Sequence, residues 1–218
     1  MKKVGLLCLA LVLALGTLGI GYATWSANVT ILQTVETGSV RVGVLDVGTN
    51  DSGEAHIDPG YTKHVARCES TNTGSTVPCG DCGGGPYYDE VTEVITNAYP
   101  CYSCNITYKF VSCGSIPVHF AEWKTTIDEA SSNMCDWVEL KGWWLTDQNG
   151  QETDGTTEQE LEDSLELLQL HQCDNITLII QKHLKQELDD GSVCPENGAC
   201  IMTHEARWVQ FNKSASDE

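Results

Sequence analysis

The residues of this chain best suited to chemistry are its cysteines. There are eleven, and all but Cys8 lie in the body of the chain: Cys68, Cys79, Cys82, Cys101, Cys104, Cys113, Cys135, Cys173, Cys194 and Cys200. A cysteine can ligate a metal, act as a nucleophile or close a disulfide, and spacing and redox compartment decide between these uses. Cys79-Gly-Asp-Cys82 and Cys101-Tyr-Ser-Cys104 are two C-x-x-C pairs separated by 18 residues, the spacing of a zinc ribbon. The N-terminus argues for the other use. Lys2 and Lys3 precede a stretch from Val4 to Leu18 that is apolar apart from Gly5, Gly16 and Thr17, and Gly21-Tyr22-Ala23 then offers a small-x-small site. This is the pattern of a secretory signal cleaved between Ala23 and Thr24, too short and too weakly flanked for a membrane anchor. Cys8 leaves with it, and an even set of ten cysteines in an oxidising compartment predicts disulfides, with zinc as the alternative.

The other chemistry-bearing residues form no catalytic pattern. His204-Glu205 is followed by Ala206, Arg207 and Trp208, so a helical zinc-protease motif lacks its second histidine. His56, His64, His119, His171 and His183 show no ligand spacing, and no nucleophile elbow, phosphate loop or dinucleotide fingerprint is present. Asp46, Asp51, Glu54 and Asp58 have the composition of a calcium loop without the regular ligand spacing of an EF-hand. The sequence therefore predicts no enzyme, no cofactor and no metal. Trp25, Trp123, Trp137, Trp143, Trp144 and Trp208 are expected in the core; in a strand the neighbours Trp143 and Trp144 must face opposite ways, so one points outward. Asn28, Asn50, Asn105, Asn175 and Asn212 each open an N-x-S/T triplet, a weak glycosylation signal.

The elements that must carry these residues are mostly strands. Val40, Val42 and Val44 alternate with Arg41 and Gly43; Val29, Ile31, Gln33 and Val35 alternate with polar neighbours apart from Leu32. In 102–112, Tyr102, Cys104, Ile106, Tyr108 and Phe110 share one face. Period two with a polar alternate face indicates half-buried antiparallel strands. Further strands are predicted over 62–70, 90–96, 117–124, 137–145, 175–184 and 200–211, punctuated by turn-formers such as Asp58-Pro-Gly60 and Gln148-Asn-Gly150. Segment 157–170 breaks the pattern: Leu161, Leu165 and Leu168 recur at helical spacing behind a possible Thr157-x-x-Glu160 capping box. The expectation is an all-β, jelly-roll-like antiparallel sandwich with one short amphipathic helix, forming a single domain over 24–218 behind a signal peptide at 1–23.

Strand geometry also limits the disulfides. An extended strand over 102–112 separates Cys104 and Cys113 by about 30 Å, at roughly 3.3 Å per residue, whereas a bridge needs Cα atoms within about 7 Å. Cys101 and Cys104 are thus expected to bond outward rather than to Cys113 or to each other, with Cys68, Cys79 and Cys82 as partners.

Without the signal the chain keeps 10 basic and 31 acidic residues, a formal charge of −21. Such a surface repels nucleic acid and anionic lipid headgroups, so neither is an expected partner and membrane contact is limited to an uncleaved signal. The mature 195 residues suffice for a real core.

Several stretches together resemble the TasA/camelysin family, proteins exported with a SipW-type signal peptidase. They are Gly19-Ile-Gly-Tyr-Ala-Thr-Trp-Ser26 followed by Thr37-Gly-Ser-Val-Arg-Val-Gly-Val44, the middle from Asn97-Ala-Tyr-Pro-Cys-Tyr102 to Gly114-Ser-Ile-Pro-Val118, and the end from Val193-Cys-Pro195 to Trp208-Val-Gln-Phe-Asn212. Together they touch about half the chain; the many cysteines, and Cys113 in place of an asparagine, depart from the pattern. The resemblance implies a jelly-roll sandwich and a secreted structural protein of the cell surface or biofilm matrix, forming fibres in which an N-terminal strand completes a neighbour's sheet. Here that strand would carry Trp25, Val29, Ile31 and Val35. The expected partners are copies of itself and other matrix proteins. A monomeric surface module for glycan or calcium is the alternative. A metallopeptidase, a label some relatives carry, finds no zinc motif here.

Overall fold

The computed structural model describes residues 11–13, 38–51, 58–60, 64–129, 132–188, 191–192 and 198–212. The chain divides into two units, Met1–Thr37 and Gly38–Glu218. Of the first, residues 11–13 are described, and they are helical. No helix among the described residues is long and apolar enough to cross a membrane.

The second unit is all-β. Its strands are β1 (Val42–Thr49), β2 (Arg67–Val77), β3 (Tyr87–Thr96), β4 (Ser103–Ser112), β5 (Val118–Ile127), β6 (Val138–Thr146), β7 (Glu152–Gly155), β8 (Gln169–Leu170), β9 (Asn175–Leu184) and β10 (Ala199–Gln210). Two short helices interrupt them, α1 (Ser132–Cys135) and α2 (Glu158–Glu166). All pairings are antiparallel and run in the order β7-β6-β9-β4-β1-β3-β10-β5-β8, with β2 on the other edge of β3. The sheet curls on itself into a sandwich-like fold. One layer is β7-β6-β9-β4-β1, the other β8-β5-β10-β3-β2, and they join where β1 meets β3 at the pair Val44↔Tyr88.

Period two explains the packing. Along β4, Cys104, Ile106, Tyr108 and Phe110 are buried while Asn105, Thr107 and Lys109 are half-buried on the other face. Ile176, Leu178 and Ile180 of β9, Val91 and Ile95 of β3, and Phe120 of β5 meet them in one core. Each fully buried aliphatic side chain contributes about 1.5–3 kcal/mol relative to exposure. At one end the core is aromatic: Trp123 stands edge-on to Tyr108 and Phe110, each with centroids 6.1 Å away, and Trp208 is edge-on to Phe120 at 5.6 Å. Residues of opposite phase form a second, smaller cluster on the outer face, where Tyr87, Val111 and Cys113 pack with Leu45, Val77, Cys79 and Cys82.

Trp143 is buried and donates its indole N–H to the Thr157 carbonyl, while Trp144 is 42% exposed, as adjacent strand positions require. Gly155 on β7 leaves room for that indole: a Cβ there would fall 2.5 Å from the Trp143 ring. Thr157 caps α2 as a capping box, its hydroxyl accepting the Glu160 N–H while the Glu160 carboxylate accepts the N–H of Thr157 and Thr156.

The bounds of the helix and of the second strand differ from expectation. The helix ends at Glu166 rather than 170, because Leu170 turns into β8 to pair with Val118 of β5. The second strand runs over 67–77 rather than 62–70. Its polar Thr-Asn-Thr-Gly-Ser-Thr run reads as a turn, but Thr73, Thr92 and Thr203 form a hydroxyl chain across β2, β3 and β10, at 3.0 and 3.1 Å, that holds it in the sheet. Gly74, at φ +72°, absorbs the register shift between Thr73 and Thr76. The expected strand over 28–35 lies outside the described residues.

Candidate functional site

Three charged or titratable side chains occupy core-facing strand positions where the pattern calls for apolar residues. Glu93 sits between Val91 and Ile95 on β3, Lys182 between Ile180 and Leu184 on β9, and His204 next to Met202 on β10. Register brings them together. Met202 pairs with Glu93 and His204 with Val91, so Glu93 and His204 are diagonal neighbours in one layer. Lys182 reaches them from the other layer, where it pairs with Cys104. The Lys182 Nζ lies 3.8 Å from Glu93 Oε2, and His204 Nε2 lies 3.2 Å from Glu93 Oε1. The Glu93 side chain is fully buried and that of Lys182 is 13% exposed.

The histidine's protonation follows from its other nitrogen. Trp123 Nε1 can only donate and approaches His204 Nδ1 at 3.2 Å, so Nδ1 must accept. The neutral ring therefore carries its proton on Nε2, facing Glu93, and the Thr125 hydroxyl completes the contact at Nδ1 at 2.9 Å. Burial raises the pKa of Glu93; Lys182 and then His204 outweigh it and hold the carboxyl below its ordinary range. Neither Glu93 oxygen has a hydrogen bond of normal geometry. The charges are neighbours without being well bonded, a costly arrangement inside a core.

Beside this triad opens a cleft of about 220 Å³. It lies on the side of the sandwich where β5 and β6 do not meet. Among the described residues, β5 pairs with β10 along its length but with β8 only at Val118 and His119, and β6 pairs with β7 only from Trp143 to Thr146. Ile127, Leu140, Leu161, Leu165, Ile180 and Met202 wall the cleft, and Lys182, His204, Trp123 and Thr125 supply its polar lining. Glu139, Glu158 and Glu162 complete that lining. Partial burial, then the neighbouring Glu158, Glu166, Asp163 and Glu122, raise the pKa of Glu162. Negative charge is thus concentrated there, although Glu139 pairs with Lys185 at 3.7 Å and Glu122 with Arg207 at 3.8 Å. A small second cavity, about 10 Å³, touches His204 near Tyr108 and Trp208 and has room for about one water.

The cysteines are drawn together as four disulfides: Cys68–Cys104, Cys79–Cys113, Cys82–Cys173 and Cys135–Cys200. Cys104 does bond outward, to Cys68, and Cys113 takes neither Cys101 nor Cys104. The four cysteines of the ribbon-like spacing thus go to separate places. Cys101 corrects the expectation: Cys68, Cys79 and Cys82 are taken by others, and Cys101 is exposed with no disulfide partner among the described residues. The strand begins at Ser103, so Cys101 stands before it in a turn with φ +67° and does not share the inward phase of Cys104. Cys194, the cleavage pair Ala23 and Thr24, and the assembly residues Trp25, Val29, Ile31 and Val35 lie outside the described residues.

Of the calcium-like acids, Glu54 and the Asp46 side chain are likewise outside the described set. Asp51 and Asp58 are buried and bonded to protein donors. Asp51 accepts the Tyr102 hydroxyl, and burial together with that carboxylate holds the phenol far above its ordinary range. Asp58 accepts the N–H of Val65 and Ala66 at 3.0 and 3.3 Å. No motif marks Glu93 or Lys182, and His204-Glu205 reads only as the first half of an incomplete protease motif. The signal that marks all three is phase: each is a charged or titratable residue at an apolar position of a period-two strand. Comparisons with family models, with curated proteins and with solved structures find no match.

Proposed function

We propose that this chain is a secreted structural protein of a cell surface or extracellular matrix that assembles by lending its N-terminal strand to a neighbouring copy. The observation that carries the reading is the open side of the sandwich. The outer edges of Phe120–Ile127 in β5 and of 138–142 in β6 have no second partner strand among the described residues, and they flank a cleft walled by apolar side chains with charged groups among them. Such an edge accepts an added strand through backbone hydrogen bonds, with alternate side chains filling the pockets beneath. The segment from Thr24 to Thr37 has the right length and pattern: 14 residues, apolar at Val29, Ile31 and Val35, ahead of the body that begins at Gly38. Four disulfides suit a fold kept outside the cell, and the resemblance to matrix-forming proteins points the same way.

Size-exclusion chromatography and negative-stain microscopy of the mature protein test this. Fibres or ladders are expected, lost on deletion of Thr24–Thr34 while a folded monomer remains. A monomer at all concentrations would favour the second reading, a surface binding module using the cleft itself. Fibres that survive the deletion would place the contact elsewhere, with the exposed Trp144 as the next surface to examine.

A further inference from the structure

We propose that Lys182 and Glu93 become covalently joined: the Lys182 amine condenses with the Glu93 carboxyl to form an amide that ties β9 to β3 across the core, with His204 assisting as acid. The proposal does not depend on strand exchange.

The groups already stand as reactants. Nζ is 3.8 Å from one carboxylate oxygen, and His204 Nε2 faces the other at 3.2 Å. All three side chains project from core positions of regular strands held in register by their neighbours, so little motion remains to be frozen. Fixed reactants of this kind gain an effective concentration of about 10⁵–10⁸ M over the same groups free in solution. The contacts to Glu93, at 3.8 and 3.2 Å, are longer than the about 2.7–2.9 Å of a well-formed charge-assisted hydrogen bond, so the carboxylate is not locked as an ion partner.

The balance is simple. One proton passes from the Lys182 ammonium to Glu93, converting the ion pair to a neutral amine and carboxylic acid. The Nζ lone pair attacks Cδ to form a tetrahedral adduct, and the His204 Nε2–H stabilises the oxygen that gains charge. The proton released by the attacking nitrogen passes to the adduct's hydroxyl, the C–OH bond breaks as water leaves, the oxyanion re-forms C=O, and an amide remains. Nothing is oxidised or reduced and no co-reactant is required. The adjacent cleft, lined by both Lys182 and His204, offers the water an exit. Two features favour condensation over hydrolysis. The site is walled by Tyr108 and Trp123, whose rings pack against His204 at 6.5 and 5.4 Å, and the product replaces two buried charges with a neutral group. The link would stand beside Cys68–Cys104, since Cys104 pairs with Lys182 and Cys68 with Ile95. Unlike the disulfide, it would survive reduction.

Mass spectrometry of the complete mature protein, reduced and alkylated, decides the matter. The expected mass is one water below that of the sequence, and proteolysis should release a branched peptide joining the Glu93 and Lys182 segments. Lys182→Arg keeps the charge but lacks the amine and should show no loss. Glu93→Gln should lose one ammonia in place of water, and His204→Asn should slow bond formation by about 10²-fold. A full sequence mass, with separate linear peptides bearing Glu93 and Lys182, overturns the proposal; so does a water loss that maps elsewhere. Should a variant fail to fold, the wild-type peptide map alone still separates the two outcomes.

Discussion

Two regions hold the layers of this sandwich, and they do so by opposite means. On the outer face, the loop after β2 is fastened over Val111 and Tyr87 by Cys79–Cys113 and Cys82–Cys173, around a small apolar cluster. In the middle of the main core, Glu93, Lys182 and His204 place charge where the surrounding strands place Ile and Leu. The cysteine cap substitutes covalent bonds for a core too small to hold on its own. The triad does the reverse: it inserts a desolvation penalty into a core large enough to tolerate one. Stability alone explains the cap. It does not explain the triad, because an apolar trio of similar volume would serve stability as well or better.

The largest expected effect tests that contrast directly. Lys182→Met leaves Glu93 fully buried without its cation and should lower unfolding free energy by at least about 3 kcal/mol in a denaturant titration. Pairing it with Glu93→Leu removes the stranded charge. If the triad is only an ion pair, the double variant recovers nearly all the loss; with the amide in place, it falls measurably short of the wild type.

The cap should respond less. Replacing Cys82 and Cys173 together with Ser opens a link between residues 91 apart in sequence and should reduce stability by about 2–4 kcal/mol. Because the cap covers a cluster separate from the main core, the change should leave a probe of the cleft, such as Trp123 fluorescence, unaltered in the native baseline.

The same contrast governs what can be read from sequence. Cysteines declare themselves by residue type, so a disulfide framework is legible, and strand spacing even separates Cys104 from Cys113. The pairings are not legible, because they depend on how strands stack rather than on how they run. The β4, β9 and β10 strands are visible because their apolar phase is nearly unbroken. The bounds of β2 are not, because its stability comes from a hydroxyl chain to β3 and β10 that no local pattern encodes. The triad is hidden for a related reason. A lone Lys among Ile180 and Leu184 is an irregularity in one strand; it becomes a site only when Glu93 and His204 arrive from the other layer.

A third prediction concerns Asp58, which sits in neither region. Burial raises its pKa, but the Val65 N–H, the Tyr99 hydroxyl and the Ala66 N–H, with His64 nearby, outweigh this and leave it lowered. A lowered carboxylate contributes stability that is complete above its unfolded pKa, about 4, and is lost as pH falls through the folded value. Asp58→Asn should therefore cost about 1–3 kcal/mol at neutral pH and less below pH about 3. Urea titrations of both proteins at the two pH values would show the gap narrowing; a constant gap would refute the assignment.

The smallest effect should be the most local. Helix α2 has nine residues, too few to persist in water without help. It stays helical for two reasons: Leu161 and Leu165 are buried against the cleft, and Thr157 with Glu160 satisfies the N–H groups at its start. Thr157→Ala removes one of these bonds and should cost about 1 kcal/mol. The β layers do not need the cap, so the loss should appear as fraying of α2 rather than as looser strands. Amide exchange would then quicken across Glu158–Glu166 and stay slow in β4, β9 and the cysteine-capped loop. Since Leu161 and Leu165 form one wall of the cleft, a frayed α2 should also widen access to Lys182. If an added strand occupies that cleft, as proposed, assembly should restore the slow exchange of α2 even in the variant. Exchange that stays fast in assembled material would show that α2, and with it this side of the sandwich, takes no part in the contact between subunits.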